Sequence, residues 1–383
     1  MMGAMAHGDS PVLNASQWSL LATHVRPSYP FKTISKWTVL EHSDAPLPLK
    51  EGRLDEDFRW VLNGKELTVT DYLDQQPVSA LLIAKDGEIL VEAYRYTGSR
   101  NSLFLSNSMA KSVLGLGYGF LRRDGLLQDL HPSTDTYLKE LRGSNLGRVT
   151  LRNHLRMGSG LAYIESYTPG DDHDRFGKTA FTDGLRAALS SIKDNEQLAP
   201  QGTRYYYAGF SSAVLGLVAE QIAGVNLAKY IERNLWEPLG TEAVAAWSED
   251  VNGSTMAYCC LLARPRDWLR LGIVLANDGR RPDTGAEVIP KSFVEGTIDD
   301  RRLDPPFKPR ADSWGYENQF WIGGRPTREY GLVGVRGQTI FISQKLNLVM
   351  VQFAVNASAH VNETSMGSQR TAFWRALVKY FDK

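Results

Sequence analysis

Ser108 and Lys111, three residues apart in "SNSMAKSVLGLGYGFL" (106–121), are a pair whose types and spacing suit nucleophilic chemistry. On a helix, positions i and i+3 share a face with Cβ atoms roughly 5–6 Å apart, so a lysine amine reaches a serine hydroxyl. Serine is a poor nucleophile until a neighbouring base takes its proton. Lysine can be that base where burial and nearby positive charge keep it neutral. Ser108 is expected in the first turn, where unpaired N–H groups and the helix dipole favour an anionic intermediate. The apolar run after Lys111 predicts a core helix that keeps water off the amine.

Ser-x-x-Lys is a weak signal alone, since a chain of this length shows roughly one or two by chance. A second copy, Ser190 to Lys193, lies in the polar stretch "SSIKDNEQLAP", which predicts solvated surface. Two further stretches support the first copy. "PQGTRYYYAGFSSAVLG" (200–216) is a turn-rich loop that delivers aromatic hydroxyls ahead of an apolar helix. "EYGLVGVRGQTIFIS" (329–343) is a glycine-rich approach to a strand, where backbone can come close to a substrate.

The elements that must position these residues are legible in outline. "VSALLIAKDGEILVEAYRY" (78–96) predicts a hairpin turning at Asp86-Gly87. Ser106 and Asn107 are good N-caps for the helix that ends at Asp124-Gly125. Helices are predicted over 211–224 and 264–279, with "LWEPLG" as a loop around Pro238. "QTIFIS" (338–343) and "LVMVQFAV" (348–355) form a second hairpin, and 368–381 a final amphipathic helix. Strands near both ends and a helical middle imply three regions. Residues 1–75 form an extended arm with a short helix or two. Residues 76–105 and 310–383 form an α/β (α+β) sheet domain, and 106–309 a mostly helical domain inserted in it.

Bulk composition excludes several function classes. The 383 residues carry 43 basic and 43 acidic side chains, a formal net charge of zero. Nothing steers such a chain to nucleic acid or an anionic membrane. Its two cysteines, Cys259 and Cys260, are adjacent and give neither a disulfide framework nor a Cys-x-x-Cys metal spacing. The first residues lack a basic segment followed by an apolar core, and no apolar run approaches ~20 residues, so a cytoplasmic protein is expected. Asp171, Asp172, His173 and Asp174 are contiguous rather than spaced for one face, so no metal is expected. His154 lies in an apolar helical segment, which predicts a core histidine with a hydrogen-bond partner.

From these motifs the chain resembles the serine β-lactamase and penicillin-binding-protein family, in the class C-like branch with carboxylesterases and 6-aminohexanoate-dimer hydrolases. The resemblance covers about residues 75 to 380 and extends to "VTLRNHLRMGSGL" (149–161), "LWEPLG" and "RPRDWLRLG". It implies a β-lactamase-like fold, with an antiparallel sheet flanked by helices plus the helical insertion. By position, Ser108 would be the nucleophile and Lys111 its base. The family tyrosine stands nine residues before the closing glycine, which selects Tyr207 as the proton relay. Whether Lys111 or Tyr207 is the general base stays open. The backbone N–H groups of Ser108 and Val335 would form the oxyanion hole, with a register uncertain by one residue.

The chain departs from the family pattern twice. Gly209 replaces the usual Asn of Tyr-x-Asn, which argues against β-lactam hydrolysis. Arg336 stands in the third motif, either holding a substrate carboxylate or as a surface charge. Gly337 and Gln338 complete that substrate-binding motif. Tyr167 aligns with a substrate-contacting tyrosine of nylon-oligomer hydrolases, or it packs its loop. Glu165, Asp171, Asp172 and Asp174 either recognise a substrate amine or are solvated. The expectation is a cofactor-free serine hydrolase acting on a small ester or linear amide, with a homodimer left open. The alternatives are a β-lactamase or D,D-peptidase, an acyltransferase, and a catalytically silent binding module.

Overall fold

Strand Val78–Lys85 shows why this sequence builds a sheet with two covered faces. Ala80, Leu82 and Ala84 enter one apolar cluster, and Leu81 and Ile83 enter another. The period of two sends alternate residues to opposite faces, so an almost continuously apolar strand must be buried on both. Val349 and Val351 do the same against Leu348 and Met350 in the neighbouring strand Leu348–Ala354. The computed structural model describes residues 13–26, 36–310, 313–359 and 365–383. The reading of the first twelve residues lies outside them.

The large sheet runs Gly315–Glu317, Phe320–Gly324, Glu329–Gly334, Gln338–Ser343, Leu348–Ala354, Val78–Lys85, Glu88–Tyr94, Lys50–Glu51. Every pairing is antiparallel except the last, which is parallel. Both predicted hairpins are present, and Asp86 and Gly87 have φ of 51° and 80°, the left-handed pair that a tight hairpin turn needs. Helix Pro265–Ala276 lies on one face of the sheet. It comes so close that a Cβ at Gly272 would stand 2.4 Å from Val349 Cγ1. Helix Ser365–Phe381 covers the other face, where Phe373 stacks on Tyr72 at 4.2 Å between ring centroids.

Two features differ from the sequence reading. A second, five-stranded sheet joins Val25–Arg26, Leu103–Leu105, Leu261–Ala263, Ala245–Glu249 and Lys36–Leu40. It weaves part of the N-terminal stretch into the body. Its strands are too short to carry an alternation signal, and each pairs with a distant segment. "LWEPLG" is also helical rather than a loop. Helix Leu227–Ile231 continues through a π-turn, Glu232–Trp236, into Glu237–Leu239. The wide turn and the place of Pro238 in the first turn of the last segment absorb the missing N–H of the proline.

Candidate active site

The helix Met109–Arg123 presents Lys111 one turn after Ser108, and the rest of the site is assembled around that pair. Every residue from Met109 to Leu121 is buried. Lys111 is 1% exposed, a long cation-capable side chain enclosed by protein. Its Nζ lies 2.9 Å from Ser108 Oγ and donates to the Tyr258 carbonyl oxygen at 2.7 Å. Burial pushes the amine down to about 8, opposed only in part by the Glu165 carboxylate. The Tyr207 and Tyr258 rings flank Nζ at 5.1 and 5.8 Å from their centroids.

Ser108 is itself the N-cap residue, and its side chain makes no capping bond. The hydroxyl is therefore left to Lys111 and to Tyr207, with which it shares a hydrogen bond. Ser106 and Asn107, expected as caps, do other work. Ser106 Oγ accepts the Leu261 N–H at 3.1 Å, tying the segment that leads to Ser108 to the second sheet. Asn107 adopts φ of 46°, a left-handed conformation that asparagine tolerates. Its Nδ2 donates to the Val335 carbonyl at 3.1 Å and lies 3.2 Å from His24 Nε2. Gly334 comes so close to this segment that a Cβ there would meet the Ser106 carbonyl oxygen at 2.5 Å. Val335 thus sits beside the Ser108 segment, on the short turn between strands Glu329–Gly334 and Gln338–Ser343.

Tyr207 is buried against an aromatic wall. It stacks on Trp321 at 5.9 Å and meets Tyr316 edge-on at 6.1 Å. Burial first, and the charge of Glu165 second, push its hydroxyl well above the usual phenol range. Gly209 opens the helix Gly209–Ala223, and its N–H donates to Glu165 Oε2. A Cβ on Gly209 would stand 3.2 Å from both Glu165 Oε2 and His173 Cε1. The room that an Asn side chain would need is already occupied. Gly209→Asn is therefore expected to cost about 1–3 kcal/mol by overpacking. The checks are a lower urea midpoint and no gain of nitrocefin turnover.

The four loop carboxylates separate cleanly. Asp171 caps the helix Asp172–Thr182, accepting the Asp174 N–H at 2.7 Å. Asp172 accepts the Ile164 N–H at 2.7 Å, and Asp174 pairs with Lys178 at 2.6 Å. Only Glu165 turns inward, its side chain 2% exposed. Its Oε1 accepts the Tyr167 hydroxyl at 2.8 Å, and Oε2 lies 3.6 Å from His173 Nδ1. Burial lowers the His173 pKa. Tyr167 thus reaches the site through Glu165.

The third motif divides as well. Arg336 donates through Nη1 to the Asn356 and Ala357 carbonyls at 3.1 and 2.6 Å. Gly337 has φ of 98° and abuts Asn356, whose Nδ2 would lie 2.6 Å from an added Cβ. Gln338, expected to bind substrate, is instead buried. Its amide donates to Ala354 O at 2.8 Å and accepts from Ala354 N at 3.1 Å, so it pins one strand to the next.

Away from the site, Ser190 is exposed and Lys193 ends its helix. His154 is buried with Nδ1 3.1 Å from Ser211 Oγ. Among the described residues no group of three or more His, Cys, Asp or Glu is placed to hold a metal. No single described helix is long and apolar enough to cross a membrane. Tyr258, Trp321, Tyr316 and His24 carried no sequence signal, because each arrives from a segment outside the motifs.

The fold recurs in solved structures. A Bacillus anthracis protein provisionally described as a 6-aminohexanoate-dimer hydrolase superposes with a TM-score of 0.79 at 22% identity, over 95% of this chain and 93% of that one. EstCE1, described as a hydrolase with promiscuous acyltransferase activity, gives 0.63 at 17% identity over 79% of this chain and 94% of its own. In sequence, the 6-aminohexanoate-dimer hydrolase of Paenarthrobacter ureafaciens is 24% identical over 291 residues, 74% of either chain. The architecture is that of the β-lactamase-fold serine hydrolases. The Beta-lactamase family profile matches residues 67–354, and the chain belongs to that family.

Proposed function

We propose that the protein hydrolyses a small ester or a linear amide through an acyl-enzyme on Ser108. The observation that carries this reading is the buried Lys111 amine, 2.9 Å from Ser108 Oγ and pushed down to about 8. Near neutral pH such an amine has a neutral fraction able to take the serine proton. Tyr207, held protonated by burial, is better suited to pass a proton to the leaving group than to act as the base. Ser108 Oγ attacks the carbonyl carbon and its proton passes to Lys111. The developing oxyanion is received by the Ser108 and Val335 N–H groups. The leaving alcohol or amine departs with a proton relayed through Tyr207, and water then releases the acid.

The substrate end of the site favours linear amides and esters over β-lactams. Gly209 offers no side-chain amide, and Glu165 and His173 fill that space. A buried carboxylate close enough to act on Lys111 and Tyr207 suits a substrate that carries an amine, as the names of the 6-aminohexanoate-dimer hydrolase relatives suggest. The test is a panel of p-nitrophenyl acetate and butyrate, a linear amino-terminated amide and nitrocefin, with intact-mass detection of a fluorophosphonate adduct. Turnover of the ester or the linear amide with one adduct supports the reading. Nitrocefin turnover alone replaces it with a β-lactamase. No turnover and no adduct would make the chain a binding module.

A further inference from the structure

The two adjacent cysteines are bonded to each other, Cys259 Sγ to Cys260 Sγ. Their sequence spacing offered no framework linking distant segments, and they form none. The bridge instead closes a small ring around the peptide bond between them. Where that ring sits is what gives it a consequence.

Immediately before it, the Tyr258 carbonyl oxygen accepts a hydrogen bond from Lys111 Nζ at 2.7 Å. Immediately after it, Leu261 N donates to Ser106 Oγ at 3.1 Å, and Ser106 N donates to Leu261 O at 2.9 Å. The ring therefore lies between the backbone group that holds the lysine and the one that holds the segment leading to the nucleophile. Its own carbonyls are tied down too: Trp247 Nε1 donates to Cys259 O at 2.8 Å and Ser248 N to Cys260 O at 3.2 Å. Cys260 adopts φ of 71°, a left-handed conformation that L residues avoid unless something imposes it. A covalent ring imposes it, and an open dithiol does so less. Both cysteines are partly exposed, within reach of a small thiol.

We propose that the Cys259–Cys260 disulfide is a positioning element for Lys111 and a redox modification site, whose opening by a dithiol reductant slows acylation of Ser108. In that step a reductant thiolate attacks one cysteine sulfur, the intramolecular S–S bond breaks and a mixed disulfide forms. The second reductant thiol then displaces the protein sulfur. Two electrons and two protons end on Cys259 and Cys260, and the reductant leaves as its own disulfide. With the ring open, Cys260 relaxes toward negative φ, the Tyr258 carbonyl turns from Nζ, and the lysine loses a fixed partner. The inference rests on the serine-hydrolase reading above.

The experiment follows the fluorophosphonate adduct rate and p-nitrophenyl butyrate turnover of the full chain, air-oxidised and after dithiothreitol, with thiol state read by intact mass after alkylation. The oxidised form is expected to label about tenfold faster, the upper scale of one hydrogen bond lost from the amine that must stay aimed at Ser108 Oγ, and reoxidation is expected to restore the rate. Cys259→Ala/Cys260→Ala should be slow and indifferent to reductant. Cys259→Ala/Cys260→Gly, with a residue at home at positive φ, should recover most of that loss. A purely structural role for the bridge would lower the melting temperature of the glycine variant without this recovery. Equal rates for oxidised and reduced protein, or full activity with two free thiols, overturn the switch alone. Absence of any adduct in both forms removes the serine reading and the switch with it.

Discussion

Ser108→Ala is expected to lower kcat/KM for p-nitrophenyl butyrate on the order of 10⁴-fold and to abolish the fluorophosphonate adduct. Residual activity would come only from binding and the oxyanion site. The size of the loss follows from the geometry. Ser108 Oγ is the hydroxyl that shares contacts with both Lys111 and Tyr207, and its side chain has no capping role that alanine would break. Folding should be untouched, so the far-ultraviolet spectrum and the urea midpoint should match wild type. If the alanine variant keeps wild-type turnover, another nucleophile is at work. The exposed Ser190 is then the control to mutate next.

Lys111→Met should cost on the order of 10²–10⁴-fold, the usual worth of a positioned general base. Methionine keeps the length and apolar stem but accepts no proton. The interior here already penalises the charged amine, since burial moves it from 10.5 to about 8. Stability is therefore expected not to fall even as activity does, which separates a catalytic lysine from a structural one. The wild-type pH profile supplies the matching sign. Below about 8 the amine is mostly protonated, and only the shrinking neutral fraction can take the Ser108 proton. kcat/KM should therefore rise with pH through about 8 and then level, and this acid limb should vanish from the residual activity of the variant. A wild-type profile flat between pH 6 and 9 would mean that Lys111 is not the titrating base.

The Ser108–Lys111 pair was legible because it depends on neighbours in the chain. A helix places i and i+3 on one face whatever surrounds it, and the apolar run after Lys111 announced a buried helix. The two hairpins, the helix closing at Gly224 and the C-terminal helix were legible for the same reason, since each is written in short-range periodicity and turn chemistry. The absence of a side-chain amide at Gly209 was equally plain. What fills that space was not. Glu165 lies 44 residues earlier, close in sequence to three aspartates, and only folding turned it inward while the others capped a helix, accepted a backbone N–H or met a lysine.

Tertiary structure alone decided the rest. Tyr258 brings its carbonyl to Lys111 across 147 residues, and the second sheet pairs Lys36–Leu40 with Ala245–Glu249 across some two hundred. No local pattern encodes such a contact, because it forms only when many weak burial preferences are satisfied together. The sequence by itself determined which residues can do chemistry and the local elements that carry them. The fold decided which became buried, which carboxylate acts on Lys111 and Tyr207, and that two adjacent cysteines lie between the anchor of Lys111 and that of the Ser108 segment. The physical reason is that helical spacing and turn conformation are local properties of the chain, whereas burial, and with it proton affinity, belongs to the whole packed interior.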